Sequence, residues 1–500
     1  MTAYNDIALV AYLGAACWYL WEGLRTDSPW SFALSGLLAG FAFSVKYTGM
    51  IAVVAVLLAI AHKYALRRSA LRPMAYALGA FLIPCTPWIV TNWLTFGNPA
   101  FPFFNSLFPN PFIHQRWEKE YMASMRSFNE VNWASIPMEL TMRGHKLSGL
   151  IGPLFLLTPF ALWSVVRTRA GRYLGIWLAI CLAVYSANIG ARLFIPSLFF
   201  VSLLLAAVFR STPVALVLVM GHAFLSWPAN MSLYCDPWAY RIDPVKAVRA
   251  VVYPSGQDYL RAQSGFRTAS FVEAHTPPNA VVFSLTGIDR AYTTRRVVMY
   301  RQSAKAEVLE EVILSANRLE STRTLVCTLP RPVSELTIAG RAAPTAELTL
   351  TDVSFSLNGA VVKGVKAAVA VNPWEIGLAL DDNTATRWRS WSRGTGPIAI
   401  KFAAGNGARF DQLAIALATD EGADQWKVVR GPDGYSCGQA PPGGPLPRKD
   451  IRAAIAGLGV THVLLDTEDA FSQYFVAAVR ENLKVLASEG SLQLYEVSTR

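Results

Sequence analysis

The chain has 500 residues, 53% hydrophobic and 12% aromatic, with 45 Lys and Arg against 34 Asp and Glu. That length allows about two to four domains. The net charge of +11 comes from basic residues scattered through short loops between apolar runs; this favours membrane orientation and argues against a nucleic-acid partner.

The average hides two halves. Up to about residue 230 long apolar runs dominate, and beyond it charged residues return at the density of a soluble protein. The apolar runs predict about eight membrane spans, with rough limits 5–24, 30–46, 47–65, 74–93, 148–166, 173–189, 192–209 and 213–227, since about 20 apolar residues cross a bilayer. Only Lys46 and Tyr47 separate the second and third, which read as two short spans or a broken pair. The first run carries Asp6 near its start and no basic region before it, so it reads as a span and not as a cleavable leader.

Short-loop charge sets the orientation. Lys63, Arg67, Arg68 and Arg72 cluster after the third span, Arg167, Arg169 and Arg172 after the fifth, and Arg210 after the seventh. Alternating spans put all of these on one side, which the positive-inside rule makes cytoplasmic. The opposite face then holds Asp6, Lys46, the loop from Phe96 to Leu147, the turn at Arg192 and everything beyond Trp227.

Charges at apolar runs are costly and invite a functional reading. Asp6 reads as a general base for an acceptor hydroxyl or as a helix cap. Lys46 reads as a phosphate partner or as a side chain that snorkels to the interface. Arg192 offers a bidentate fork for phosphate or an interfacial anchor. His222 reads as a helix–helix hydrogen-bond partner. The fourth span runs straight into TFGNPAFPFFNSLF, too rich in Pro, Asn and Phe for a helix. This aromatic shelf suits the headgroup layer and could floor a lipid-linked substrate. The outer loop that follows contributes His114, Arg116 and Glu118 as candidate acceptor or donor contacts, and its HQRWEKEY stretch reads as an interfacial helix.

Cys17, Cys85 and Cys181 lie in apolar runs as small core residues. Cys235, Cys327 and Cys437 fall in the polar half, where their odd number leaves room for one disulfide but no framework. No Cys/His metal spacing occurs. In the polar half, SFVEAHTPPNAVVFSL and IRAAIAGLGVTHVLLD read as helix, turn and buried strand, which predicts an α/β domain. Between them AELTLTDVSFSL, GPIAIKFA, DQLAIALA and QWKVVRGP read as short strands of a β-sandwich. Asp381, Asp382 and Asn383 form an acidic turn that suits calcium or nothing beyond the turn, and their spacing is not an EF-hand.

Four pieces in order, AYNDIALVAYLGA, GLLAGFAFSVKYTGM, PWIVTNWLTFGNPAFPFFNSLF and ARLFIPSLFFVSLLLA, resemble the membrane-embedded GT-C glycosyltransferases of the protein mannosyltransferase and aminoarabinose transferase type. The resemblance implies sugar transfer outside the cytoplasm from a polyprenyl-phosphate donor, generally with inversion. It implies Asp6 as an acidic landmark, with Lys46 and Arg192 at the donor phosphate. Such enzymes usually begin with further helices and an outer loop carrying the principal acid, so the resemblance implies an N-terminally shortened member. The wider fold includes metal-dependent and metal-independent enzymes, which leaves a divalent ion open. The stretch ALDDNTATRWRSW with GPIAIKFAAGNGARFDQLAIAL resembles the discoidin, galactose-binding-like module, which implies a jelly-roll sandwich that often binds glycans or lipid surfaces.

The expected architecture is therefore a polytopic α-helical membrane protein with a GT-C-like bundle and an exported α/β domain carrying an inserted β-sandwich. Expected boundaries are 1–230 for the bundle, 231–341 and 436–500 for the α/β domain with its linker, and 342–435 for the sandwich. The expected partners are a polyprenyl-phosphate-linked sugar, membrane lipid and a glycan at the sandwich, in a bacterial inner membrane with the C-terminal domain extracytoplasmic. The competing expectation is a non-catalytic membrane-anchored protein that binds glycan or envelope polymer. A transporter would show internal repeats or midplane charges, and neither is present.

Overall fold

The computed structural model describes residues 5–64, 67–127, 133–143, 147, 151–187, 191–234, 264–316, 323–341, 347–393, 396–417, 426–439 and 449–497. It divides into two compact units, one of residues 1–103 and 119–252, the other of 104–118 and 253–500.

The first unit is helical. Its main helices are α1 (Asp6–Thr26), α2 (Pro29–Val45), α3 (Met50–Lys63), α4 (Leu71–Phe96), α5 (Gln115–Ser127, shared with the second unit), α6 (Thr158–Arg167), α7 (Arg169–Ala187), α8 (Ile195–Val208) and α9 (Thr212–Tyr234). Among the described residues two stretches, Asp6–Thr26 and Arg68–Phe96, are long and apolar enough to cross a membrane, and five shorter apolar helices accompany them. Large side chains such as Ile83, Leu94, Val217 and Phe224 point outward and are exposed. Water would penalise so much outward apolar surface.

Local chemistry explains the helix ends. Pro29 occupies the first turn of α2 while the Ser28 hydroxyl accepts from Ser31 N at 3.4 Å, the usual pairing of a cap with a proline that needs no N–H. Gly97, at φ +66°, closes α4 in the left-handed conformation that glycine adopts freely. The proline-rich shelf begins directly after it and contains a cis Phe101–Pro102 bond.

Helix α2 packs between α1 and α4. Its Ser35 hydroxyl donates to Ala16 O at 2.8 Å, and its Ser44 hydroxyl donates to Pro84 O at 2.9 Å. Gly36 and Gly40 lie where α4 passes. A Cβ on Gly36 would sit 1.9 Å from Ala77 O, and one on Gly40 would sit 2.4 Å from Phe81 O. This is the small-residue spacing that lets two backbones touch. Gly36→Leu should force the helices apart at a cost of about 3 kcal/mol or more, read as lost detergent-solubilised monodisperse protein and a lowered Tm.

In the second unit an α/β layer carries an inserted sandwich. The α/β sheet has the order β15-β16-β14-β1-β2, from β1 (Val281–Ser284), β2 (Arg296–Met299), β14 (His462–Asp466), β15 (Lys484–Glu489) and β16 (Leu492–Glu496). The central β14, β1 and β2 run parallel. VVFS and HVLLD are almost wholly buried, as strands covered on both faces must be. Helices α10 (Ser264–His275), α11 (Ala304–Ser315), α12 (Ile451–Gly457) and α13 (Val476–Asn482) complete this part.

The sandwich lies between α11 and α12 in sequence. One antiparallel sheet joins β12 (Trp426–Arg430), β4 (Glu335–Gly340), β10 (Ile398–Ala404) and β8 (Val365–Val369). The other joins β13 (Ser436–Gln439), β3 (Arg323–Val333), β11 (Phe410–Leu417), β6 (Asp352–Leu357) and β7 (Ala360–Val361). A smaller pair is β5 (Glu347–Leu350) with β9 (Trp388–Arg393). Trp388, Phe355, Phe402, Phe410 and Leu413 fill the core between the two large sheets. The sandwich starts at Arg323 and not at 342, because β3 and β4 pair with β11 and β10. Cys327 on β3 and Cys437 on β13 form a disulfide. Cys235 lies outside the described residues.

Candidate functional site

The first site sits at one end of the helical unit. Asn5 and Asp6 open α1, and Lys46 ends α2 in an extended conformation that turns its side chain out of the helix. Lys46 Nζ lies 2.7 Å from Asp6 Oδ1, and Asn5 Nδ2 donates to Val45 O at 2.9 Å. Asp6 is 1% exposed and the Lys46 side chain 23%. The pair therefore gives a buried carboxylate a cationic partner and leaves part of the ammonium reachable. At the far end of α1, Asp27 Oδ1 meets Nζ of Lys63, the last residue of α3, at 2.5 Å. The Asp6–Lys46 end is thus opposite the basic cluster that begins at Lys63.

Tyr47, next to Lys46, ties this end to the shelf. Its hydroxyl donates to Phe101 O at 2.5 Å and accepts from Trp88 Nε1 at 3.0 Å and Asn92 Nδ2 at 3.1 Å. Its ring meets those of Phe43, Trp88 and Phe103 edge-on. Sequence reasoning singled out Lys46 and the shelf but not the tyrosine that joins them. The signal was a hydroxyl between two spans opposite a Trp and an Asn one helical turn apart. Arg192 lies in the helical turn Ala191–Phe194, and its side chain is outside the described residues. His222 accepts from Leu154 N at 3.3 Å.

His114, Arg116 and Glu118 belong to the segment 104–118 of the second unit. There they hold the segment in place. His114 is buried, its ring stacked on Trp391 with centroids 4.1 Å apart. Its Nδ1 pairs with Glu307 at 2.9 Å and its Nε2 with Glu375. Burial opposes the charged imidazolium, but the two carboxylates outweigh it and raise its pKa to about 9. Arg116 lies over the Trp391 ring and 3.5 Å from Glu347. The Glu118 carboxylate accepts from the backbone N–H groups of Phe104 and Asn105 at 3.0 and 3.1 Å. Ala304 N, at the start of α11, donates to Phe112 O at 2.8 Å.

The acidic turn is internally satisfied. Asp381 accepts from Asn383 N at 3.0 Å and from the Thr386 hydroxyl at 2.6 Å, while Asn383 Oδ1 accepts from Ala385 N at 3.0 Å. Among the described residues no group of three or more His, Cys, Asp or Glu is arranged to hold a metal ion.

Comparison with curated proteins gives no match to the chain. A family model does match, over residues 1–91, less than a fifth of the sequence. That stretch contains Asp6, Lys46, Tyr47 and most of α4, so it coincides with the helices that build the charged pair. By it, the N-terminal region is similar to the dolichyl-phosphate-mannose-protein mannosyltransferases, a family of membrane glycosyltransferases.

Proposed function

We propose that the protein is an integral membrane glycosyltransferase that moves a sugar from a polyprenyl-phosphate donor to an extracytoplasmic acceptor. The observation that carries this reading is the Asp6–Lys46 pair at the end of a helical unit, inside the region that matches the mannosyltransferase family. In this reading the eight apolar runs span a bacterial inner membrane as a GT-C-like bundle. The Asp6 end faces outward, and the second unit is exported. The Cys327–Cys437 disulfide supports an oxidising compartment for that unit. The sandwich is read as a discoidin-like glycan-binding module.

The chemistry is a displacement at the anomeric carbon. The bond from that carbon to the phosphate oxygen breaks, and a bond to the acceptor oxygen forms on the opposite face. Polyprenyl phosphate leaves, and the acceptor proton passes to a carboxylate, for which Asp6 is the candidate. Lys46, and Arg192 with it, would take up the charge growing on the leaving phosphate, the stage at which preorganised cations contribute most. Lys46 would then exchange Asp6 for the phosphate, freeing the carboxylate to accept the proton. The shelf 98–103, fixed by Tyr47, would seat the first isoprene units.

A second reading is favoured by one observation: Asp6 is buried and already engaged by Lys46. On that reading the pair only staples α1 to α2, and the protein is a membrane-anchored glycan binder. The test uses the full chain in proteoliposomes with radiolabelled polyprenyl-phosphate mannose, glucose and arabinose plus an envelope extract as acceptor. Transfer predicts release of polyprenyl phosphate from one donor with label appearing in the extract. If no donor is consumed, the binding reading stands.

A further inference from the structure

A cavity wholly within the second unit has a volume of about 110 Å³. That is well above the about 10–15 Å³ that admits one water, room for a small ligand and too little for a chain of sugars. Asn105, Asn110, His114 and Gln115 line it from the segment 104–118, and Asn372, Trp374, Ser390 and Trp391 line it from the sandwich.

Its wall is held by internal hydrogen bonds, and the charge it carries is already paired. Among the described residues His114 is the only titratable one lining it, and both of its ring nitrogens are taken by Glu307 and Glu375. Asn110 spends its amide on Asn105 Oδ1, Phe108 O and the N–H groups of Phe112 and Ile113. Trp391 is buried, with its Nε1 donating to Glu375 at 2.8 Å. Asn372 and Trp391 both hold left-handed backbone, at φ +47° and +49°. For a bulky residue such as Trp that conformation is sparsely populated and concentrates at functional sites.

Within this frame some polar groups are left over. Asn372 uses both amide hydrogens, on Glu375 and on Arg389 O, so its Oδ1 has no hydrogen-bond partner among the described residues. The Gln115 amide and the Trp374 indole N–H are likewise without one there. Trp374 is 48% exposed, unusual for an indole not facing lipid or a partner. Amides that offer both donors and acceptors match vicinal hydroxyls, and an open indole face matches the C–H face of a pyranose. The absence of an uncommitted charge disfavours phosphate and carboxylate ligands. A largely preformed recess with a few convergent polar groups is the usual form of a small-ligand site.

We propose that this recess binds one neutral sugar unit of a glycan, stacked on Trp374 and hydrogen-bonded by Asn372 and Gln115. The inference takes its ligand class from the glycan-handling reading above but needs no catalysis. It makes the outer segment 104–118 part of the sugar site and not only a connection between helices.

The test uses the full chain in nanodiscs, free of sugar-based detergent, titrated with the methyl glycosides of mannose, glucose, galactose, arabinose and N-acetylglucosamine. Saturation-transfer NMR should show at least one of them binding in the millimolar range through its ring C–H protons. Trp374→Ala, an exposed change expected to leave the Tm in place, should weaken that binding ten-fold or more, and Gln115→Ala about three-fold or more. The proposal is overturned if none of the glycosides binds, or if Trp374→Ala leaves the affinity within two-fold. Donor consumption measured on the same nanodiscs separates the two ideas. Binding without consumption sinks the transferase reading alone, and consumption without glycoside binding sinks the recess alone.

Discussion

Asp6→Ala should lower sugar transfer by about a hundred-fold or more, the typical worth of a positioned general base. The loss has a structural rival that must be separated from it. Removing the carboxylate also strips Lys46 of its partner at 2.7 Å, and breaking a buried ion pair costs about 3–5 kcal/mol. Asp6→Asn keeps the shape and a hydrogen-bond acceptor, so it should recover much of the Tm and none of the rate. The double change Asp6→Ala with Lys46→Ala should likewise regain stability, because no charge is left stranded. Initial rates of product formation beside Tm values for the three variants decide the matter. If activity follows Tm across the set, Asp6 is a staple and not a base.

The second large effect concerns His114. His114→Ala should destabilise the second unit by about 3–5 kcal/mol, since it leaves Glu307 and Glu375 facing each other without the cation between them. The same pair makes stability depend on pH. The His114 pKa is raised from 6.5 to about 9, so the folded state holds the proton more tightly than the unfolded chain. The stabilisation is therefore complete below about pH 6.5 and is lost as the pH climbs through about 9. A shift of that size corresponds to about 3 kcal/mol at most. Urea titrations followed by tryptophan fluorescence from pH 6 to 10 should show the decline in the wild type and its absence in His114→Gln. A flat profile in the wild type would show that the imidazole is not charged in the fold.

Much of the helical unit can be read from the residues. The α4 run and its abrupt end at Gly97 follow from apolar length and then from Gly, Pro and Asn, because helix termination is a local property. A carboxylate and a lysine at two apolar boundaries are visible in the same way, although their meeting across 40 residues is not. The Gly36 and Gly40 spacing on α2 was not singled out, although it marks a close approach to α4. The role of His114 was hidden. Its partners Glu307 and Glu375 lie 193 and 261 residues away, and nothing in HQRWEKEY distinguishes a ring buried against Trp391 from one in solvent. The sandwich boundary was misplaced for a related reason. RTLVCTLPRPV contains Pro330 and Pro332 near its end and does not alternate cleanly, so only its pairing with β11 and β13 makes it a strand.

The segment 104–118 imposes an order on biosynthesis. It leaves the ribosome long before Glu307, Glu375 and Trp391 are made, yet the second unit incorporates it. It must therefore wait for partners that follow His114 by 193 and 261 residues, the slow closure expected of distant contacts. Residues 253–500 produced alone would lack one wall of their own fold and expose Trp391 and two like-charged carboxylates. Supplying a peptide of residues 104–118 in trans should then restore their solubility.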